Sequence, residues 1–410
     1  MAEAGPVDRP RLLVVHPGAE LYGSDRMLLE SVTGMVEAGA DVVVALGADG
    51  PLAGLLRDRG ARVVVRPLAV LRRSALSPSG VRSWAGELLR AVRPALDLVR
   101  SAGRDGVHVS TLTLPLWAVL ARLCRRRLTV HVHEAESAVP RPLWAVLALP
   151  ATLAHRTLVN SRFTGAVLGR ASRRAGRRSV VVRNGVGGPT VVSPPRPALH
   201  GPVRLLFVGR LSARKGPQVA VAVAGELLRR GHDVRLDLLG AVFAGNEAFE
   251  AGLRRDVAER GLQERVTFLG LHADVHPVLA DHDVVLVPSL VDESFGNTAV
   301  EALLAARPVV VSAAGGLAEA VEGCRAARTA PPGDVAAWAD AVGELLADWP
   351  ATVAAGALDS ELLARRHRVR SYRAAVVAAL DLPTPDPGGV PAHQEPRRGT
   401  PLPTLQRSST

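Results

Sequence analysis

Lysine is almost missing from this chain: of 50 Lys and Arg residues only Lys215 is lysine, and the other 49 are arginine. Aromatic residues are scarce too, at 3% of 410 residues, and no nucleic-acid-binding motif is present, which argues against a nucleic-acid partner. Cys124 and Cys324 stand far apart with no partner pattern. That excludes a disulfide scaffold and a cysteine metal site, and points to a reducing compartment. The first residues, MAEAGPVDRP, lack the basic-then-apolar order of a signal peptide. The longest near-apolar run, PLWAVLALPATLA at 142–154, is too short to span a bilayer and is interrupted by Pro150. These absences together lead to the expectation of a cytoplasmic protein.

What is present suits a soluble chain long enough for two domains with full cores. The net charge of +11 is unevenly placed. Residues 1–200 carry 28 arginines against 14 carboxylates, whereas residues 201–410 carry 22 cations against 25 carboxylates. The first half is therefore expected to meet something anionic, such as a membrane surface or a phosphate-bearing acceptor. Solvated arginine in a compositionally biased sequence explains the asymmetry equally well.

Short β-rich runs alternate with helical stretches. RLLVVH (11–16), DVVVAL (41–46), RVVVR (62–66), GVHVS (106–110), LTVHVH (128–133), TLVN (157–160) and SVVVR (179–183) read as buried strands. A Pro- and Gly-rich stretch at 187–202 reads as a linker, after which the pattern restarts with VRLLFVG (203–209), DVRLDLLG (233–240), RVTFLG (265–270), DVVLVP (283–288) and PVVVS (308–312). The expectation is an α/β protein with two Rossmann-like, doubly wound domains, at 10–186 and 203–364, facing across a cleft. A terminal helix at 365–382 and a disordered, Pro-rich tail at 383–410 follow. Ligands in such sheets bind at the carboxyl ends of the strands.

That rule picks out a few residues. Arg210 and Lys215, in GRLSARKG, follow the strand LLFVG; a planar fork and a compact point charge suit a diphosphate. In PSLVDESFGNTAVEALLA, Glu293 falls in a loop and Glu301 on the helix behind it. Amides around Phe295, Gly296 and Asn297 would favour an anion at that helix start. Thr298 and Glu301 also have capping-box spacing, so Glu301 could simply cap. Gly315 and Gly316 would let a backbone approach a ligand closely, although a tight turn explains them as well. On the first domain, Gly18, Glu20 and Gly23 lie in the loop of VVHPGAELYGSDRMLLE, which is not a GxGxxG fingerprint. His133 and Glu134 end the strand VHVHE on the cleft side. Asp281–Asp283, a DHD triplet, lies at the start of its strand, away from the ligand edge, and is expected to bind no metal.

Taken together, these motifs resemble the family 4 retaining glycosyltransferases of the GT-B fold over roughly residues 10–380. The most specific element is the acid pair Glu293 and Glu301 in ESFGNTAVE; GRLSARKG, GGLAEAV, VVVRNGV and HVHE are similar to further family motifs. Two positions depart from the pattern: Gly187 follows NGV where aspartate is common, and PGAELYGSDR varies the usual GGAE loop. The resemblance implies transfer of a sugar, with retention and without metal or cofactor, from a GDP- or UDP-linked donor to a sugar or polyprenyl/lipid-linked acceptor. Bacterial surface polysaccharide or glycolipid synthesis is the implied setting, and the inner face of the cell membrane a candidate peripheral location. It implies that Arg210 and Lys215 hold the diphosphate. Glu301 would hold the ribose, Glu293 would contact the transferred sugar, and Phe295, Gly296, Asn297 and Thr298 would line the donor. His133 would act near the sugar and acceptor, with Gly18, Glu20, Gly23 and Glu134 on the acceptor side. A nucleotide-sugar epimerase of the same fold and a non-catalytic sugar-nucleotide-binding subunit are the alternatives.

Overall fold

The computed structural model describes residues 9–72, 77–103, 106–135, 141–243 and 245–383. The Val- and Leu-rich runs form strands because branched Val side chains pack well on a pleated surface covered on both faces. In the first half these are β1 (Arg11–His16), β2 (Asp41–Leu46), β3 (Arg62–Val65), β4 (Val107–Val109), β5 (Leu128–Val132), β6 (Arg156–Val159) and β7 (Ser179–Val181). The second half supplies β8 (Val203–Val208), β9 (Val234–Leu239), β10 (Val266–Gly270), β11 (Val284–Val287), β12 (Val309–Ser312) and β13 (Ala327–Ala330). Among the described residues every strand pairing is parallel, in two sheets ordered β3-β2-β1-β4-β5-β6-β7 and β10-β9-β8-β11-β12-β13. In each sheet the order reverses beside the first strand, and that reversal opens a crevice for ligands.

Strand β13 is absent from the sequence-based reading. Its four residues, ARTA, carry no apolar run, and only pairing with β12 makes them a strand. Helices cover both faces of each sheet, and the two largest apolar clusters of the first half lie on opposite faces of its sheet. Trp144, in the near-apolar run at 142–154, is buried in one of these cores, and its indole donates to the Val167 carbonyl at 3.1 Å. Ala148, Pro150, Ala151 and Ala154 of the same run are buried, whereas Ala145, Val146 and Leu149 are exposed.

The last helices run Trp349–Arg366 and Val369–Ala379, broken at His367, whose Nδ1 lies 3.1 Å from the Asn184 carbonyl. The second of them lies on helix Gly23–Glu37 of the first half. Tyr372, Val376 and Val377 are buried there, each contributing roughly 1.5–3 kcal/mol. The Tyr372 hydroxyl is 2.7 Å from Ser31 Oγ, and Arg373 reaches Glu30 and Glu37. The chain end therefore ties the two halves together. Apart from Pro383, the tail lies outside the described residues.

Candidate active site

The carboxyl ends of β1, β4, β5 and β6 face those of β8, β9, β11 and β12 across the cleft, and side chains from both halves meet there. Lys215 is placed by Gly216, which starts helix Pro217–Arg229 in a left-handed conformation (φ +72°). A Cβ at Gly216 would sit 2.0 Å from the Pro288 carbonyl oxygen, so only glycine lets this turn lie against the loop after β11. As a result Lys215 Nζ donates to Glu293 Oε1 at 2.6 Å, and Ser289 Oγ donates to the same oxygen. Burial pushes the Glu293 carboxyl up, but the ammonium of Lys215 and the two hydrogen bonds outweigh it and hold the group below its ordinary range. Glu293 is thus a carboxylate at neutral pH. Lys215 has two more N–H donors for a ligand.

Opposite this pair stand His133 and Glu134 at the end of β5. A cavity of about 220 Å³ is lined by His133, Glu134, Lys215 and Glu293 together with Arg214 and Asp292. Burial, helped by His16 and His108, lowers the His133 imidazole to about 3, so it is neutral across the physiological range. Its ring lies 4.1 Å from that of His131. Burial raises the Glu134 carboxyl, which accepts from Thr111 Oγ1, from the Leu112 amide at 3.4 Å and from the His133 amide at 3.1 Å. Those bonds hold Glu134 against its own half.

Glu301 lies on helix Asn297–Leu304. The helix is capped by Gly296, so Thr298 is inside it and the capping-box alternative does not hold. Burial raises the Glu301 carboxyl to about 7, against the pull of Arg26 at 3.5 Å from the other half. Phe295 is buried, with its ring 5.4 Å from that of His367, so its side chain belongs to the core. Asn297 accepts from Asn184 at 2.8 Å, and a Cβ on Gly23 would meet Asn297 Nδ2 at 3.1 Å. Gly18 packs on Asp25, and Glu20 is exposed.

The Gly315–Gly316 pair does approach a backbone closely, but that backbone is the protein's own. Gly316 N donates to the Glu293 carbonyl at 2.6 Å, and a Cβ on Gly316 would sit 2.4 Å from the Ser294 carbonyl oxygen. The pair therefore shapes the Glu293 loop. The DHD triplet sits at the opposite strand end, where Asp283 takes both arms of the Arg196 fork at 2.8 and 2.7 Å.

Several cleft residues escape a reading of the sequence. His16, at the end of β1, bridges Ser110 Oγ at 2.5 Å and Asp25 Oδ1 at 2.7 Å, all three buried. Strand-end position could have found His16, as it finds His133; the Asp25 and Ser110 contacts needed the fold. Ser161 donates to the Ser294 carbonyl at 2.5 Å and Asn160 to Ser294 Oγ at 3.0 Å, which joins β6 to the Glu293 loop.

Comparison with known proteins agrees with this arrangement. The family model described as "Glycosyl transferases group 1" matches residues 202–348, and that described as "Glycosyltransferase Family 4" matches residues 22–187. The 2-deoxystreptamine glucosyltransferase of Streptomyces kanamyceticus is 31% identical over 325 residues, which cover 72% of this chain and 81% of that one. A D-inositol 3-phosphate glycosyltransferase of Nocardia farcinica (strain IFM 10152) is 38% identical over 146 residues, but these span only 35% of this chain and 32% of the relative. Among solved structures, Anabaena Alr3699/HepE in complex with UDP-glucose is similar with a TM-score of 0.76 and 21% identity over 90% of this chain and 99% of that one. The two facing sheets are thus those of the GT-B fold. The chain belongs to the group 1, family 4 glycosyltransferases.

Proposed function

We propose that the cleft moves a sugar, with retention of anomeric configuration, from a nucleoside diphosphate sugar to a hydroxyl of a sugar or lipid-linked acceptor. The observation that carries this reading is the cavity in which Lys215 and Glu293 of one half face His133 and Glu134 of the other. The donor diphosphate lies against Arg210 and Lys215, and the sugar extends toward Glu293 and His133. As the anomeric carbon–oxygen bond breaks, its electron pair stays on the diphosphate, and fixed cations stabilise that growing charge. The acceptor oxygen attacks from the same face, and its proton passes to the departing phosphate oxygen. His133, kept neutral by burial, adds no competing positive charge beside the sugar cation. Cations rather than a divalent metal meet the diphosphate, so turnover should survive excess chelator. Relatedness to glycosyltransferases, not epimerases, supports transfer. Calorimetric titration of the full chain with UDP, GDP and their sugars tests the donor class: one diphosphate should bind well above the other, and binding of neither would overturn the reading.

Glu301 gives this reading a pH signature. A carboxylate there accepts from ribose hydroxyls, and a neutral acid accepts less well. With its pKa raised to about 7, nucleotide affinity is expected to rise between pH 6 and 8. The change should approach about tenfold per unit below the pKa. Glu301→Gln should flatten that profile. An unchanged profile in the variant would place the titrating group elsewhere.

The acceptor side suggests an anionic surface. Arg173, Arg174, Arg177 and Arg178 are exposed around a recess of about 570 Å³ at the edge-strand side of the first half. Residues 151–200 contain no carboxylate to oppose them. Among the described residues no helix is long and apolar enough to cross a membrane. Attraction of roughly 1 kcal/mol per basic residue would hold the protein reversibly at an anionic bilayer. Co-sedimentation should show binding to anionic vesicles at low salt and release at high salt. Equal binding to neutral vesicles would refute it.

A further inference from the structure

Among the described residues no carboxylate forms an ion pair with Arg210, although Asp25 pulls its pKa up from a distance. Its guanidinium carbon lies 3.5 Å from the centroid of Phe243 and 4.9 Å from that of Tyr22, and the two rings meet edge to face at 5.3 Å. Burial is the main cause lowering the Arg210 pKa, and among the described residues its Nε has no hydrogen-bond partner. The chain has only 2 Tyr and 6 Phe, yet one of each is spent here, 40% and 39% exposed, where apolar rings gain little from burial. The two rings come from opposite halves: Phe243 follows β9, and Tyr22 precedes helix Gly23–Glu37. Tyr22 is itself anchored, since its amide donates to Asp25 Oδ2 at 2.9 Å and Asp25 is fixed by His16.

We propose that Tyr22 and Phe243 form an aromatic clip, built from both halves, that fixes the plane of the Arg210 guanidinium so that its free N–H edge faces the donor diphosphate. A cation held by ring faces keeps N–H donors available, whereas a carboxylate partner would occupy them and cancel the charge. The clip makes diphosphate binding depend on the acceptor-side loop, because Tyr22 belongs to it. Tyr22 is thus a positioning residue acting through Arg210. The inference rests on the proposed placement of the diphosphate at Arg210.

Calorimetry of the full chain with UDP, UMP, GDP and GMP tests it. In Tyr22→Leu, affinity for the diphosphate that binds should fall roughly tenfold, the scale of one cation–π contact, with the matching monophosphate less affected. Tyr22→Phe should restore the affinity, because it retains the ring. In an Arg210→Ala background the Tyr22→Leu penalty should vanish. Equal weakening of diphosphate and monophosphate, persistence of the penalty without Arg210, or failure of Tyr22→Phe to restore binding would each overturn the clip. An Arg210→Ala variant that binds the diphosphate normally would instead overturn the phosphate placement beneath it.

Discussion

Replacing Lys215 with alanine is expected to lower donor turnover by about 10- to 100-fold, the effect of losing a charge-assisted contact of roughly 1.5–3 kcal/mol. Lys215 does two things in the site. It supplies the cation nearest Glu293, at 2.6 Å, and it presents its remaining N–H donors to the cavity shared with His133. Without it, the two largest causes that hold the Glu293 carboxyl down are gone, so its pKa rises relative to that of the unsubstituted protein. The variant's pH profile should therefore shift to higher pH, because Glu293 now needs a higher pH to ionise. Lys215→Arg keeps the charge but replaces a compact donor with a wide fork, and should recover only part of the rate. Turnover measured from released nucleoside diphosphate across pH 6–9 checks both effects. Unchanged turnover in Lys215→Ala would remove the phosphate role. A requirement for a point charge at the proposed diphosphate site would explain why the one lysine survives in a chain that otherwise uses arginine.

Acid should destabilise the protein well before most carboxylates protonate. Burial lowers His108 to about 4 and His367 to about 4, and lowers His131 well below its ordinary value. Among the described residues His108 has no hydrogen-bond partner on either ring nitrogen, and His131 and His367 lack one on Nε2. The sign is fixed by linkage: between pH 6.5 and 4 the unfolded chain takes up these protons and the folded one does not, so stability falls with pH. For His108 the shift from 6.5 to about 4 amounts to about 2 kcal/mol lost at pH 5. Together these histidines should remove several kcal/mol from a total of about 5–15. Urea melts at pH 7, 6 and 5 should show the midpoint dropping, with His108→Leu giving a shallower drop. Protonation of Glu301, raised by burial to about 7, works in the opposite direction, so the variant comparison decides: an unchanged pH slope in His108→Leu would contradict the burial of that ring.

The sequence shows the fold clearly wherever local chemistry decides. Runs such as LLVV and VVLV have one physical solution, a strand buried on both faces, and the strand-end rule led directly to Lys215, Glu293 and His133. It fails where the deciding contact is remote. Tyr22 and Phe243 lie in loops of different halves, and nothing local to either predicts that they meet over Arg210. Gly315 and Gly316 signal a close approach without saying to what, and the answer is the Glu293 backbone. Hydropathy ranks Trp144 as apolar and amphipathic, but only the packing of helix Arg141–Leu147 under Val167 makes it core. Strand β13 exists because β12 offers an edge, a property of the neighbour and not of ARTA.

Following the anomeric proton by NMR while the chain turns over a nucleotide sugar that it binds, with an acceptor present, tests the central claim most directly. The account predicts that the donor signal decays as free nucleoside diphosphate appears, and that the product carries the donor's anomeric configuration. A sugar nucleotide isomerised without release of the diphosphate, or a product of inverted configuration, would contradict it.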